Sequence, residues 1–178
     1  MKKLQRIILF LIPLYLLSGC SSIQVQTDYD PNIDLKPLDT FIVLEDTQEN
    51  RNTLTQDRVT LALQEVLLSK NYIEASKKEA NFYVIYHINV QDKTRLDTDY
   101  QRIGLYPYGY GGTMIATTRE VNYEEGRLII DIMNPNTKKI IWRGMAVDRI
   151  KSFDSPEKRS EYIKKVVQKI LEKFPNNS

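Results

Sequence analysis

The sequence predicts an α+β domain, with an antiparallel or mixed sheet of about five to six strands and two amphipathic helices packed on one face. Several short segments alternate apolar and polar residues, as strands of a half-buried sheet do. Two longer segments, 55–70 and 156–174, instead repeat apolar residues at helical spacing. Both helical stripes are buried together if the helices lie side by side on the apolar face of the sheet.

Residues 1–19 are predicted to be an export signal ahead of this domain. Basic residues open the chain, and an apolar run at 7–17 follows. The run is shorter than the roughly 20 apolar residues that a membrane-spanning helix needs. We therefore expect a signal peptide that is cleaved, which leaves residues 20–178 as a single domain.

The segment Leu17-Ser18-Gly19-Cys20 has the form of a lipobox, in which cleavage falls between Gly19 and Cys20 and the cysteine receives lipid. The alternative is a free cysteine that lies near a cleavage site by chance. Two or more acyl chains, such as palmitate, hold a protein stably in a membrane. Ser21 follows in place of Asp, which favours the outer membrane. The sequence thus predicts an anchored protein that faces the periplasm.

Charge and cysteine content restrict the chemistry of the exported domain. Three of the 25 basic residues, Lys2, Lys3 and Arg6, belong to the signal, so 22 basic side chains remain against 23 acidic ones. This balance gives no indication of nucleic-acid binding. Cys20 is the only cysteine, and once it carries lipid the domain has no disulfide and no catalytic thiol.

The first half of the domain begins with strand patterns at 23–27 and 41–44, separated by a turn at 28–32. The first strand starts three residues after Cys20, which is a tether of roughly 10 Å. We therefore expect the domain to lie close to the bilayer.

The segment 55–70 is the first predicted helix. Its apolar stripe consists of Val59, Ala62, Leu63, Val66 and Leu67. Thr53 and Gln56 can form a capping box, and Asn71 can end the helix in the left-handed conformation. A short strand at 72–74 can follow.

A strand at 82–91 precedes a Gly/Tyr segment at 106–112 that has no regular period and is predicted to be a flexible loop. Tyr106, Tyr108 and Tyr110 are suited to recognition, because tyrosine offers a large contact area and glycine allows adaptation. The alternative is an insertion without a partner. The glycines do not have the spacing of a phosphate-binding loop.

The second half is predicted to contain strands at 113–123, 127–133 and 140–147, with turns at 124–126 and 134–139. Counting residues across the second turn places one apolar set on a single face: Leu128, Ile130, Ile132, Trp142, Gly144 and Ala146. Asp131 and Arg143 then meet on the opposite face, where we expect a cross-strand ion pair. Ser155 and Pro156 are the expected cap and first residue of the closing helix.

The order of several segments resembles the domain of unknown function family 4136, a family of bacterial lipoproteins. These segments are 28–31, 38–41, 86–87, the Gly/Tyr loop, 126–131, 141–144 and the final helix to 174–175. Asn71 and Lys138 stand where the family usually has glycine, and the second strand lacks the usual tryptophan. The resemblance implies a lipoprotein signal followed by an α+β domain, with no catalytic residue to transfer.

The candidate chemistry of the domain is sparse. His87 is the only histidine, and the carboxylates near it in sequence have no metal-ligand spacing, so we expect a strand histidine without catalysis and no metal or cofactor. A binding role for the Asp131–Arg143 pair stays open.

The leading hypothesis is a non-enzymatic, lipid-anchored envelope lipoprotein that binds an envelope protein or a cell-wall component. An enzyme or small-ligand receptor acting on the envelope, and a structural spacer, are the alternatives.

Overall fold

The structure is a computed structural model of the chain, and it describes residues 23–44, 53–103 and 113–177. The signal segment 1–19, Cys20 and the Gly/Tyr loop 106–112 lie outside the described residues. The described elements are β1 Gln24–Tyr29, β2 Thr40–Leu44, α1 Thr53–Ser69, β3 Ile73–Glu74, β4 Phe82–Ile103, β5 Thr113–Met133, β6 Ile140–Arg149 and α2 Pro156–Leu171.

All six strands form one mixed sheet in the order β1-β6-β5-β4-β2-β3. The pairs β1–β6, β6–β5 and β5–β4 are antiparallel, whereas β4–β2 and β2–β3 are parallel. Both helices cover the same face, as one row across the sheet demonstrates. In that row Tyr86 pairs with Ile130, and Ile130 pairs with Gly144. The predicted fold class is confirmed.

Each end of this row touches a different helix. The Tyr86 hydroxyl donates to the Gln56 carbonyl of α1 at 3.1 Å. At the other end, Gly144 lies under Ile170 of α2 and under the Trp142 ring, so close that a Cβ atom at position 144 would collide with both. The lack of a side chain therefore lets α2 settle onto β6.

The two helices run in the same direction, because contacts between them advance together along both. Arg58 bonds to Ser160, Glu65 lies 2.7 Å from Lys164, and Lys70 donates to the Phe174 carbonyl. Their N-terminal turns therefore share one end of the sheet, and their C-terminal turns share the other.

The C-terminal end of the helix pair contains the densest part of the core, an aromatic cluster of Phe41, Tyr72, Phe82, Trp142 and Phe174. Phe174 is its centre, with ring centroids 5.5 Å from Tyr72, 5.9 Å from Phe82 and 5.2 Å from Trp142. Such contacts add to burial energy, about 0.5–1.5 kcal/mol for each pair.

Hydrogen bonds fasten the end of the chain to this cluster. The Tyr72 hydroxyl donates to the Pro175 carbonyl at 3.0 Å, and the Asn177 amide donates to the Lys70 carbonyl at 2.9 Å. The tail after α2 is therefore part of the folded domain.

Two turns use non-glycine residues with positive φ, Asn71 at 68° and Lys138 at 58°. Asn71 is stabilised there because its side chain donates to the Asn177 carbonyl at 3.2 Å. The predicted left-handed end of α1 and the Ser155 cap of α2 are both present.

The turn predicted at 124–126 is wrong, because β5 continues through it as one strand from Thr113 to Met133. Gly126 pairs with Val90 on one side and Asp148 on the other, in the middle of the ladder. An ideal Cβ on Gly126 would lie 3.3 Å from Ile150, so the glycine serves close packing rather than a turn. The strand predicted at 82–91 is also longer, and β4 reaches Ile103.

We predict that Gly144→Ala lowers the free energy of unfolding by about 1–3 kcal/mol, because the new methyl group must displace Ile170 or Trp142. Urea unfolding measures the loss. Gly126→Ala is the matched control: its methyl group would meet only the end of the Ile150 side chain, so a smaller loss is expected. Equal losses in the two variants would contradict this account of helix docking.

We also predict that stability falls as the pH rises from about 10 to about 12. Burial, followed by the charge of Asp39, raises the pKa of Tyr72 to about 12 from its ordinary value of 10. The fold favours the neutral phenol of Tyr72. The stability that results is fully present below pH 10, the pKa in the unfolded chain, and is lost as the pH rises through about 12, the pKa in the folded chain. Urea unfolding at a series of pH values should give a flatter alkaline profile for Tyr72→Phe than for the native chain.

Candidate functional site

The most prominent feature outside the core is a two-stranded ribbon, here called the arm, formed by 92–103 of β4 and 113–124 of β5. Its ladder runs from the pair Asp92–Glu124 to the pair Ile103–Thr113. Glu125, opposite Arg149, is the last residue of β5 that pairs with β6. Residues 113–124 of β5 therefore pair only with β4 among the described residues. At about 3.4 Å per residue, the arm is about 40 Å long. Residues 104–112, which lie outside the described residues, connect the two strands in sequence.

Both faces of the arm mix apolar and charged side chains. One face continues the helix-covered face of the sheet and carries Leu96, Tyr100 and Met114, which are 64%, 68% and 58% exposed, beside Glu120. The other face carries Ile115, which is 45% exposed, and two ion pairs, with Arg95 2.7 Å from Asp97 and Arg119 3.8 Å from Asp99. The arm therefore exposes apolar side chains among charges on both faces.

Such a ribbon has little support of its own. Among the described residues, β2 pairs with β4 only as far as Ile85, so the outer edge of β4 is open beyond that point. An isolated two-stranded hairpin is marginally stable in water. The exposed apolar side chains of the arm stabilise it only when another surface covers them and removes them from water.

The arm leaves the sheet at the end where β1 begins. Gln24 pairs with Val147, and continuing this antiparallel register by one step places Ile23 opposite Asp148. Arg149, one residue further, already pairs with the root of the arm at Glu125. The helices α1 and α2 also begin at this end, so the start of the domain, the arm and two helix N-termini share one end of the molecule.

A cavity of about 460 Å³ lies at this end, on the helix-covered face. Its apolar lining comes from both helices, the sheet and the segment before α2, and consists of Val59, Ile88, Val90, Leu128, Ala146, Ile150, Phe153, Ile163 and Val166. Two of the lining residues, Val90 and Gly126, pair at the root of the arm.

The polar side of the cavity is organised by Asp148. Its carboxylate accepts from the Tyr162 hydroxyl at 2.6 Å and lies 3.0 Å from Lys151 Nζ. Burial, together with the bond to Asp148, raises the pKa of Tyr162, so the phenol stays protonated and donates. The Lys151 amine also lies over the Tyr162 ring, 4.9 Å from its centroid.

The predicted pair Asp131–Arg143 meets on the opposite face of the sheet, as expected. The guanidinium donates twice, from Nε to Oδ1 at 2.5 Å and from Nη2 to Oδ2 at 2.7 Å. These bonds raise the pKa of Arg143, with the side-chain bond to Asp131 as the largest cause. The ion pair is half-buried, because the Asp131 side chain is only 3% exposed whereas that of Arg143 is 49% exposed.

His87 completes this group, with Nε2 4.0 Å from Asp131 Oδ2. The two carboxylate oxygens are already bonded to Arg143, so the arrangement is that of a structural ion pair with a neighbouring imidazole. Among the described residues no group of three or more His, Cys, Asp and Glu side chains could hold a metal ion. The same part of the chain contains no helix that could cross a membrane.

Sequence reasoning placed Asp131 and Arg143 together but missed the arm and the cavity. The arm has a signal that could have revealed it, since 94–101 alternates Thr94, Leu96, Thr98 and Tyr100 with charged or amide residues. No local sequence pattern could have revealed the cavity. Its walls come from segments more than a hundred residues apart in sequence, such as those of Thr55 and Val166.

The fold and these features define an α+β domain without a recognisable catalytic centre in its described part. The chain belongs to the family DUF4136, described as a domain of unknown function, whose model matches residues 25–176. The resemblance noted in the sequence is therefore confirmed. A comparison with curated proteins finds no match.

Solved structures share the fold. A DUF4136 family protein from Bacteroides thetaiotaomicron has a TM-score of 0.50 at 12% identity, over 86% of this chain and 96% of that one. A PDZ domain protein from Parabacteroides distasonis has a TM-score of 0.57 at 13% identity, over 93% of this chain. The present chain spans 39% of that longer protein. These likenesses establish the fold alone.

We predict that Arg143→Gln lowers the free energy of unfolding by about 1–3 kcal/mol, because it leaves the buried Asp131 carboxylate short of its charged donor. Replacing both residues, as Asp131→Leu with Arg143→Leu, should cost less than the sum of the single changes. Urea unfolding of the native chain, Asp131→Leu, Arg143→Leu and the double variant measures this coupling. Additive losses would show that the pair contributes nothing as a pair.

Proposed function

We propose that the chain is a non-catalytic, lipid-anchored lipoprotein of the cell envelope that uses the arm to bind a protein partner at the membrane surface. The lipobox ending at Cys20 supports the anchor, with the outer membrane, facing the periplasm, as its location. The observation that carries the binding role is the arm itself, a ribbon that extends about 40 Å beyond the sheet with apolar side chains exposed.

The position of the anchor relative to the arm narrows the kind of partner. Cys20 precedes Ile23 by three residues, and Ile23 lies at the end of the sheet from which the arm leaves. A tether of roughly 10 Å holds that end near the bilayer. The arm therefore reaches partners on or beside the same membrane, and its mixture of exposed apolar and charged side chains suits a protein surface with both kinds of group.

The tyrosine-rich loop belongs to the same proposal. Tyr106, Tyr108 and Tyr110 lie in sequence between Ile103 and Thr113, the last described pair of the arm, so the contact groups identified in the sequence belong to the segment that connects its two strands. The alternative to this binding role is a structural spacer that has no partner. The small-ligand alternative is favoured by a different observation, the cavity, and is treated below.

The test is crosslinking in native membranes, with neighbours identified by mass spectrometry. One variant replaces 95–121 with Asn-Gly, which closes the shortened hairpin by a two-residue turn and leaves the sheet intact. We expect it to lose the crosslinked protein partner while its thermal midpoint stays near that of the native chain. Tyr100→Ser should weaken the same crosslinks, and Thr98→Ser, between Leu96 and Tyr100 on the same face, is the matched control.

The same neighbours recovered with the shortened arm would contradict the binding role, and an absence of any partner for the native chain would favour the spacer. In the same membranes Cys20→Ala should release the protein or leave it uncleaved. Unchanged mass and membrane fractionation would exclude the anchor.

A further inference from the structure

The geometry points to the cavity at the root of the arm as a binding site for a single-chain anionic amphiphile, a molecule of the fatty-acid class. This inference goes beyond the binding role of the arm and does not require a protein partner. It depends on three properties of the cavity: its apolar body, the position of its cations, and the place where it opens.

The body of the cavity suits an acyl chain. Its volume of about 460 Å³ is within the range of about 300–1,000 Å³ that small-molecule sites occupy. Side chains of both helices face the sheet across it, with Val59 and Val166 opposite Leu128 and Ala146. Each methylene group removed from a bound chain should therefore weaken binding about fourfold.

The cations of the cavity are concentrated beside α2. Four basic residues and one acid contribute lining atoms. By the alternation of the strands, Arg127 and Arg149 direct their side chains to the other face of the sheet, where Arg149 stacks on Tyr123 at 4.4 Å. Lys151 and Arg159 remain on the cavity side, in the segment before α2 and in its first turns.

These two cations have different roles. Lys151 is bound to Asp148, which also accepts from Tyr162, so the one lining carboxylate is already compensated. Within the described part of the chain, the guanidinium of Arg159 makes no hydrogen bond or ion pair with another side chain. Among the lining side chains on the cavity side, the charge left over is therefore positive, and Arg159 can bind a carboxylate head group through two parallel hydrogen bonds.

The cavity lies near the proposed lipid anchor, and this step of the inference rests on that anchor. Asp148 lines the cavity and stands opposite Ile23 at the start of β1, which is three residues after Cys20. A single acyl chain with a carboxylate leaves a bilayer readily, because one chain of this size is held only marginally. The cavity volume is small for two chains, so we assign the single-chain class rather than a diacyl lipid.

The test uses the full chain in isolated membranes and a photoreactive fatty acid that carries a diazirine near the end of its chain. After irradiation and digestion, mass spectrometry should locate the label on cavity residues such as Val59, Ile163 and Val166. An excess of dodecanoate should abolish this labelling, and dodecanol, which has the same chain but no charge, should compete at least tenfold less well. Equal competition would overturn the anionic head group.

Three variants complete the test. Ala146→Leu fills the cavity from the sheet side and should reduce labelling at least tenfold. Arg159→Gln, which leaves the core untouched, should weaken competition by dodecanoate about tenfold or more without changing that by dodecanol. Lys165→Gln removes an exposed charge from the same helix and should change neither. Labelling that persists in Ala146→Leu, or that appears in the cavity only with a photoreactive diacyl phospholipid, would overturn the proposal.

Discussion

The fold depends on the close approach of α2 to the sheet at Gly144. Because position 144 has no side chain, Ile170 and the Trp142 ring both occupy the space above it. This contact fixes α2 over β6, and β6 in turn holds β1 by an antiparallel ladder. The aromatic cluster around Phe174 then forms at the C-terminal end of α2. A change at this one backbone position would affect every layer of the domain.

The two ends of the helix pair are built differently. At the C-terminal ends of the helices, aromatic rings and the hydrogen-bonded tail fill the space. At the N-terminal ends, the packing leaves the cavity, and the sheet continues into the arm. Loose packing is costly to stability, so a domain that concentrates its rings at one end can tolerate a cavity at the other.

Local sequence patterns were sufficient to predict those structural features that depend on residues close together in the sequence. The stripe of α1, the Ser155 cap and the shared face of Ile130 and Gly144 follow from periods of 3.6 and 2, and the structure has all of them. The Glu124-Glu125-Gly126 sequence led to a wrong prediction of a turn, because a glycine in a polar run indicates a turn unless its neighbours across the sheet are known. Ile150 and Val90, which give Gly126 its role, lie 24 and 36 residues away. The cavity was beyond prediction for the same reason.

The arm and one wall of the cavity are the same two strands. Ile88 and Val90 of β4, with Leu128 of β5, line the cavity, and a few residues further the same strands become the free ribbon. The pair Val90–Gly126 belongs to both features, because both residues line the cavity and the pair lies just before the arm begins. A change in the backbone at this pair therefore alters the cavity wall and the root of the arm together.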